Sequence, residues 1–420
     1  MVNSPKCWRK ACVAVAVGAA LVIPVTAGGA YGAPTPDPSG SVSPSPSSTS
    51  PNSTFPTLDA SISARLDTAI QQVMREAAIP GVTVAVSAPD KGTYLRTFGV
   101  ADKSTGAPMN ADMNMRIGSE TKTFTVTALL QLVDQGKVGL DDTIDKYIEG
   151  VPNGNRITLR QLAGMRSGLF SYTMDDGFLK AFLTNPRQPF TPQQLLDYAF
   201  KHPVNFQPGA QFEYCNTNLI LLGLVVEKKG GMPLQDFISK NITRPTKLRN
   251  TFLATDATFP NPHAQGYTNQ TLSGKVENST DWDPSWGWAA GAAISNLQDL
   301  RSWARILATG SLLTPATQAQ RLDTAPTNIP GASYGLGIFN VQSWIGHNGS
   351  LPGYESLTMY LPEAEATLVV LLNTDILHNE QEPSTLLGQA ITRIVTPDHV
   401  YNLPVVPTRP TPTATPSPSP

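Results

Sequence analysis

The sequence predicts a mixed α/β protein of the α+β kind: a mostly antiparallel sheet built from both ends of the chain, flanked by helices, with an inserted all-helical lobe. Strand-like segments (VTVAVSA and TYLRTFGV) occur early, and four more (YGLGIFNV, SWIGHN, ESLTMYL and ATLVVLLN) occur late. Strands that follow one another without crossover helices favour antiparallel pairing. The residues between the two groups, about 137–280, carry mostly short helical patterns and loops.

The N-terminus has the pattern of an export signal. An apolar run from Ala11 to Val25 is followed by small residues and preceded by the basic residues Lys6, Arg9 and Lys10. The run is shorter than the roughly 20 apolar residues that span a bilayer. We therefore expect residues 1–33 to be a signal peptide, cleaved after Ala30 or Gly32, and the mature form to have no stable membrane span. The protein should then be secreted or otherwise extracytoplasmic, in reach of the cell wall.

Two segments outside the apolar-rich region are rich in Pro, Ser and Thr. Residues 34–56 and 404–420 contain almost no apolar side chains, so neither can bury a core. We expect a disordered linker and a disordered tail around one folded domain, 57–403. Its sheet-bearing part should occupy about 57–136 and 281–400, and its helical lobe about 137–280.

Within that domain, the spacing of apolar residues predicts each element in turn. A helix is expected from Leu58 to Ala78, and the first two strands should form a hairpin. A second, apolar helix should run from about Glu120 to Gln135. The lobe should contain helices at QQLLDYAF and NLILLGLVVEKK, AAGAAISNLQDLRSWARILATG is expected to be one further helix, and residues 384–395 should form a closing helix.

The composition argues against several classes of function. The 420 residues carry a net charge of −2 and only 15% charged residues, which disfavours nucleic acid or a charged membrane surface as a partner. Cys215 is the only cysteine beyond the predicted signal, so no intramolecular disulfide can form. The histidines show no metal-ligand spacing, and no phosphate-binding Gly-rich loop is evident. We expect no metal, no cofactor, and a monomer that acts on a small molecule or peptide.

The first group of residues that could carry chemistry is Ser119-Glu120-Thr121-Lys122. Ser119 is the only serine followed three positions later by lysine, and it stands at the start of a predicted helix. Positions i and i+3 share a helix face, so the Lys122 amine can lie beside the hydroxyl and take its proton. A serine helix cap followed by a surface lysine is the commoner explanation of such a tetrapeptide taken alone.

The second group is Tyr214-Cys215-Asn216, which precedes an apolar helix. A phenol can act as a base or an acid, and an amide side chain can hold a substrate amide. A core tyrosine near a helix cap is the plainer alternative. A rival match, Tyr267-Thr268-Asn269, lies in a polar stretch with no rigid element after it, and catalytic groups need rigid support.

The third group is His347-Asn348-Gly349, followed by Ser350 at the end of a strand-like segment. A glycine there lets a substrate backbone approach closely. The next N–H, that of Ser350, could join the Ser119 N–H in binding an oxyanion. The alternative is a polar hairpin tip. The rival cation-x-Gly matches, Lys137-Val138-Gly139 and Lys228-Lys229-Gly230, both lie at helix ends.

Taken together and in this order, the three groups make the chain resemble the beta-lactamase-related serine hydrolases, which include class C beta-lactamases, serine DD-carboxypeptidases and their esterase and D-peptidase relatives. The resemblance covers roughly 60–395 and includes LLQLVDQGKVGLDDTIDKYI, ITLRQLAGMRSGL and FEYCNTNLILLG. It is strongest toward secreted D-alanyl-D-alanine carboxypeptidases, which also have His in the third group. It implies a beta-lactamase/transpeptidase-like fold.

The resemblance also implies a chemical role for each residue. Ser119 would be the acylated nucleophile. Lys122 and Tyr214 would share the general-base duty and protonate the leaving group. Asn216 would hold the acyl amide, and His347 would tune the Tyr214 side of the site.

Further residues would bind the substrate. The N–H groups of Ser119 and Ser350, the latter following Gly349, would form the oxyanion hole. Trp286, in SWGWAAGA, resembles an aromatic wall of the substrate cleft, although a core tryptophan is an equal reading.

Two departures from the family pattern bear on function. Cys215 replaces a Ser or Ala and is expected to be a buried thiol. Phe339 stands where carboxypeptidase relatives often have an Arg for the substrate's terminal carboxylate, and Arg166 is the fallback partner. The resulting hypothesis is an exported acyl-enzyme hydrolase of the D-alanyl-D-alanine carboxypeptidase kind, with slow carboxypeptidase activity. A beta-lactamase, a carboxyl-esterase or D-peptidase, or a non-catalytic penicillin- or wall-binding protein are the alternatives.

Overall fold

The computed structural model describes residues 55–404. The predicted signal peptide, almost all of the linker and the tail beyond Pro404 lie outside these residues and stay predictions. Phe55 is buried in the core, so packing begins inside the segment expected to be linker. Tyr401 and Leu403 are buried as well, which puts the end of the packed domain close to the predicted boundary. No helix within 55–404 is long and apolar enough to cross a bilayer.

Fourteen strands are present in the described range, in chain order β1 (Gly81–Ala88), β2 (Gly92–Asp102), β3 (Ala107–Pro108), β4 (Met115–Arg116), β5 (Phe252–Leu253), β6 (Tyr267–Thr268), β7 (Glu277–Asn278), β8 (Ala293–Ser295), β9 (Ala325–Pro326), β10 (Ala332–Tyr334), β11 (Phe339–Val341), β12 (Trp344–Leu351), β13 (Tyr354–Leu361) and β14 (Ala366–Leu372).

Nine of these strands form one sheet in the order β3-β2-β1-β14-β13-β12-β11-β10-β9. All of its pairings are antiparallel, and the pairing of β1 with β14 joins the early strands to the late strands inside the sheet. The predicted fold class, an antiparallel sheet built from both ends, is therefore confirmed. Two small sheets, β4-β8-β5 and β6-β7, lie outside it.

The helices in the described range are α1 (Ala60–Glu76), α2 (Thr121–Asp134), α3 (Leu159–Ala163), α4 (Asp176–Thr184), α5 (Pro192–Phe200), α6 (Asn216–Gly230), α7 (Leu234–Ile238), α8 (Trp288–Gly291), α9 (Leu297–Thr309), α10 (Pro315–Leu322) and α11 (Pro383–Val395).

Helices cover both faces of the sheet. On one face, a methyl group added at Gly388 of α11 would lie 2.8 Å from Leu357 Cδ2, so this glycine lets α11 pack close to β13. On the other face, Tyr360 of the same strand packs with Ala304 and Ala308 of α9. Positions 357 and 360 point in opposite directions because side chains alternate along a strand. Every residue of β13 and β14 is buried as a result.

Helices α2 and α6 form the centre of the molecule. Eleven residues of α2 are buried, including four threonines whose hydroxyls bond to main-chain carbonyls in or beside the helix. A helix that is covered on all sides in this way is a core helix rather than an amphipathic surface helix. The first and second groups singled out above span the starts of α2 and α6, so rigid, buried helices support both groups.

The structure corrects two predicted elements. The segment expected to be one helix, AAGAAISNLQDLRSWARILATG, is divided into α8, β8 and α9. Asn296 caps α9 by accepting a hydrogen bond from the Asp299 N–H, and the preceding residues pair with β4 and β5 instead of continuing the helix. Similarly, the expected strand YGLGIFNV is a hairpin of β10 and β11, with Gly337 at φ +70° in the turn.

Candidate active site

Ser119 lies in a 3₁₀ turn, Gly118–Glu120, that leads directly into α2. Gly118 has φ +49°, and a methyl group added there would come within 2.9 Å of the Ser350 nitrogen. Only glycine fits both the backbone conformation and this close approach. The turn therefore presses the backbone that carries Ser119 against β12, and the Ser119 side chain remains partly open to solvent.

Lys122 is aimed at Ser119 from the next helical turn. Its Nζ lies 2.9 Å from Ser119 Oγ and donates a hydrogen bond to the Ala290 carbonyl at 2.8 Å. The side chain has no solvent exposure, and no described carboxylate forms an ion pair with it. Burial lowers the pKa of Lys122 well below its ordinary value. A neutral amine at this position can accept the serine proton.

Tyr214 lies two residues before α6, which begins at Asn216. Its ring centroid is 4.9 Å from Lys122 Nζ. The phenol oxygen is buried and makes no well-formed hydrogen bond within residues 55–404. Burial raises the pKa of Tyr214, and the nearby Ser119 side chain only partly opposes this rise. The phenol therefore keeps its proton, which suits a donor to the leaving group better than a base.

His347 is buried within β12, not at a hairpin tip: this strand continues through the whole third group, with His347 opposite Thr358. Its Nδ1 lies 2.5 Å from the Asn348 carbonyl and its Nε2 lies 3.2 Å from the Tyr334 hydroxyl. Burial is the main cause that lowers the pKa of His347 to about 3, and the proximity of Lys122 acts in the same direction whenever that amine is protonated. A neutral ring whose Nδ1–H donates to the carbonyl and whose Nε2 accepts from Tyr334 satisfies both contacts.

The turn that contains Gly118 and the part of β12 that contains Gly349 meet where an oxyanion would form. A methyl group at Gly349 would lie 2.0 Å from the Ile117 carbonyl oxygen, so the backbones of β12 and the Ser119 turn are in direct contact. Ser356 Oγ donates to the same carbonyl at 3.0 Å and fixes its direction. The Ser350 amide is thereby placed beside the turn that carries Ser119, the arrangement expected of an oxyanion pair.

The neighbours of Tyr214 in the second group have separate positions. Asn216 Nδ2 donates to Thr173 Oγ1 at 3.2 Å, and this side chain lines the cavity in front of Ser119. The Cys215 thiol points away, with Sγ 3.3 Å from the Leu169 carbonyl. Burial raises the pKa of Cys215 to about 11, as expected of an unreactive thiol.

The cavity in front of Ser119 has a volume of about 440 Å³. Its walls combine predicted site residues with others that the sequence did not single out, and the full set is Ser119, Tyr214, Asn216, Asn269, Gln270, Phe339, Asn348, Ser350, Asp375, Leu377, Glu382 and Pro404. Two of these residues are acidic and none is Lys or Arg. Three residues of the site lie far along the chain from Ser119, and no local pattern marks them. They are Asp375 and Glu382, which line the cavity, and Tyr334, whose hydroxyl contacts His347.

Other residues from the sequence analysis lie elsewhere. Trp286 is not among the cavity residues; its ring packs against Phe182 at 5.1 Å between centroids. The hydroxyl of the rival Tyr267 is bound by the Lys103 N–H at 2.7 Å. The Arg166 guanidinium donates to the Pro326 carbonyl and also lies outside the cavity.

Comparisons with known proteins show the family of the chain. The family profile named Beta-lactamase matches residues 66–390, most of the chain. The chain belongs to the beta-lactamase family. Its members among the proteins compared include serine-hydrolase relatives with several activities, so membership gives the fold and the class of chemistry but not the substrate.

Several relatives carry names that refer to D-amino acids. A D-stereospecific amidohydrolase from Streptomyces sp. is 30% identical, with a TM-score of 0.71 over 79% of this chain and 98% of the other. A D-amino acid amidase from Ochrobactrum anthropi SV3 is 28% identical, with a TM-score of 0.70 over 78% of this chain and 97% of the other. The D-aminopeptidase of Brucella anthropi is 26% identical over 70% of this chain, but the chain matches only 56% of that protein's length.

Proposed function

We propose that this chain is an exported serine amidohydrolase that cleaves amide or ester bonds in D-amino-acid compounds of the cell wall through an acyl-enzyme on Ser119. The observation that carries the proposal is the buried Lys122 amine, 2.9 Å from Ser119 Oγ and without a carboxylate partner in the described residues. A lysine used for structure alone would be expected to bind an acid, because an unpaired buried charge is costly.

The proton movements follow from the two shifted pKa values. Neutral Lys122 takes the Oγ proton as Ser119 attacks the carbonyl carbon, and the amides of Ser119 and Ser350 hold the oxyanion. The protonated Tyr214 phenol gives its proton to the leaving nitrogen or oxygen and regains one from the Lys122 ammonium. Water then attacks the acyl carbon and Lys122 accepts the water's proton. Lys122 returns this proton to Ser119 Oγ as the bond between Oγ and the acyl carbon breaks, which releases the acid and restores Ser119 and the neutral amine.

The lining of the cavity supports substrates without a free carboxylate next to the bond that breaks. A carboxylate is best held by a forked cation such as Arg. Phe339, which stands where carboxypeptidase relatives often have that Arg, lines the cavity. The acidic residues of the wall are Asp375 and Glu382, which repel an anion when ionised. The carboxypeptidase activity implied by the family resemblance is therefore proposed as a slow one. The names of the amidase and aminopeptidase relatives point the same way.

A substrate panel tests this function. We expect the purified mature protein to turn over amidated peptides ending in D-Ala-D-Ala-NH₂, and short-chain esters, at least as fast as the same peptides with a free carboxylate. A Ser119→Ala variant gives the background rate. Much faster cleavage of the free-carboxylate peptides would overturn the proposed preference. Acylation by a penicillin without turnover of any amide or ester would favour a non-catalytic binding protein.

Export is proposed from the N-terminal pattern alone. The mature protein should begin near residues 31–34 and be found outside the cytoplasmic membrane. N-terminal sequencing of the secreted fraction measures this directly. Recovery of the intact apolar run, Ala11 to Val25, from membranes would mean a retained anchor instead.

A further inference from the structure

We propose that Glu382, positioned by Asn348, binds a protonated amine of the substrate inside the Ser119 cavity. The substrate class would then be amides and esters of amino acids or short peptides that bear a free ammonium group. This inference rests on the proposed function and adds the group that selects the substrate.

Glu382 stands at the start of a helix but does not cap it, and its side chain lines the cavity instead. It occupies the N-cap position of α11, where an acidic side chain commonly accepts from the helix N–H groups, but it makes no such bond. The Ser384 N–H is instead bound by Glu355 Oε2 at 2.8 Å. The helix is thus capped by another residue, which leaves the Glu382 carboxylate available to the cavity it lines.

Asn348 holds this carboxylate beside the catalytic groups. Its Nδ2 donates to Glu382 Oε2 at 2.9 Å, and both side chains line the same cavity as Ser119. Asn348 lies between His347 and Gly349 in β12, so the segment that brings the Ser350 amide to the nucleophile also fixes Glu382. A bond through one oxygen leaves Oε1 for a ligand.

The surroundings contain several acidic groups without a matching cation. Asp375 also lines the cavity, but its oxygens already accept hydrogen bonds from Gly353 N, Thr268 Oγ1 and Gln270 Nε2. Glu355 is 1% exposed, lies close enough to Glu382 for the two carboxyl groups to affect each other's pKa, and has one oxygen without a partner. No Lys, Arg or His of the described residues forms an ion pair with Glu355, Asp375 or Glu382.

A bound ammonium would relieve this imbalance. Burial and the charge of Asp375 raise the pKa of Glu382 to about 7, whereas the Asn348 amide lowers it. The other titratable groups facing this region are Glu355 and the phenols of Tyr214 and Tyr401, all held in their neutral forms by burial. A cation of the substrate is the missing partner that would ionise Glu382. Phe339 and the half-exposed Leu377 offer the ligand an apolar surface in the same cavity.

The test compares D-alanine p-nitroanilide with N-acetyl-D-alanine p-nitroanilide, which differ in the charge of the amine. We expect wild type to prefer the free amine, and Glu382→Gln to reduce that preference roughly 10- to 100-fold, the effect of one charged hydrogen bond, mainly through KM. Glu380→Gln, which removes an exposed acid two residues away, should leave the preference unchanged. Equal losses for both substrates in Glu382→Gln, or a wild-type preference for the acetylated compound, would contradict the inference.

A binding measurement separates this inference from the proposed function. D-Phenylalanine amide is titrated calorimetrically into Ser119→Ala and into Ser119→Ala/Glu382→Gln, where no reaction can occur. Weaker binding by the double variant supports the ammonium site even if no turnover is found. Equal binding by both proteins rejects the site, while turnover of N-acetyl amides by wild type would leave the proposed hydrolase function intact.

Discussion

Replacing Lys122 with Ala, or Tyr214 with Phe, is expected to slow acylation of Ser119 by roughly 10²–10⁴-fold, the usual contribution of a positioned acid or base. Each change removes one end of the same proton route: the amine that takes the Oγ proton, or the phenol that gives one to the leaving group. Because both act on one transition state, the double variant should lose less than the product of the two single losses. Pre-steady-state acylation by an amide, N-acetyl-D-alanine p-nitroanilide, whose leaving nitrogen needs a proton, measures the rate directly.

The chain offers a matched control for the tyrosine. Tyr267 begins the rival Tyr-x-Asn sequence, and its hydroxyl is bound near Asp102 and Lys103. Tyr267→Phe should therefore acylate at close to the wild-type rate. Near-normal acylation in Tyr214→Phe, with a loss in Tyr267→Phe, would mean that the wrong tyrosine has been assigned. Thermal unfolding of each variant shows whether a rate loss comes from misfolding.

His347 does not act as a cation in the active site; the structure gives it a positioning role. With its pKa lowered to about 3, the ring is neutral over the physiological range. Its Nε2 faces the Tyr334 hydroxyl rather than that of Tyr214, whose ring lies 6.2 Å away between centroids. His347 therefore positions β12 and the Asn348 carbonyl, and any effect on Tyr214 is indirect.

The sequence predicted best where chemistry depends on local spacing. Ser119 and Lys122 are one helical turn apart, so their proximity follows from helix geometry once α2 is recognised. The antiparallel sheet followed from consecutive strands, and a single sheet with early and late strands was predicted because both groups of strands flank the helical patterns. Which strands pair, β1 with β14, is known only from the structure. Tyr214 and His347 required more, because a sequence separation does not say which tyrosine or histidine a fold brings together. There the choice rested on the helix that follows Tyr214 and on the position of the rival cation-x-Gly matches at helix ends, and the family resemblance then gave the residues their roles.

The parts that the sequence did not predict depend on tertiary context. Nothing local distinguishes Glu382 from the exposed Glu380 two residues earlier, since the difference lies in a bond from Asn348 across the fold. The helix break before α9 was missed because the residues of AAGAAIS are small and apolar, which also fits a buried helix. The last three of them form β8 only because they pair with β4 and β5. Phe55 was assigned to the linker because its neighbours are Pro, Ser and Thr, although it packs into the core.

The most direct test of the acyl-enzyme assignment is to locate the covalent adduct. The protein is treated with a penicillin and, separately, with a fluorophosphonate, digested, and mapped by mass spectrometry. We expect a single modified residue, Ser119, at one adduct per chain, and no adduct in Ser119→Ala that remains folded. An adduct on another serine, or undiminished labelling of Ser119→Ala, would contradict the assignment of the nucleophile and with it the proton route through Lys122 and Tyr214.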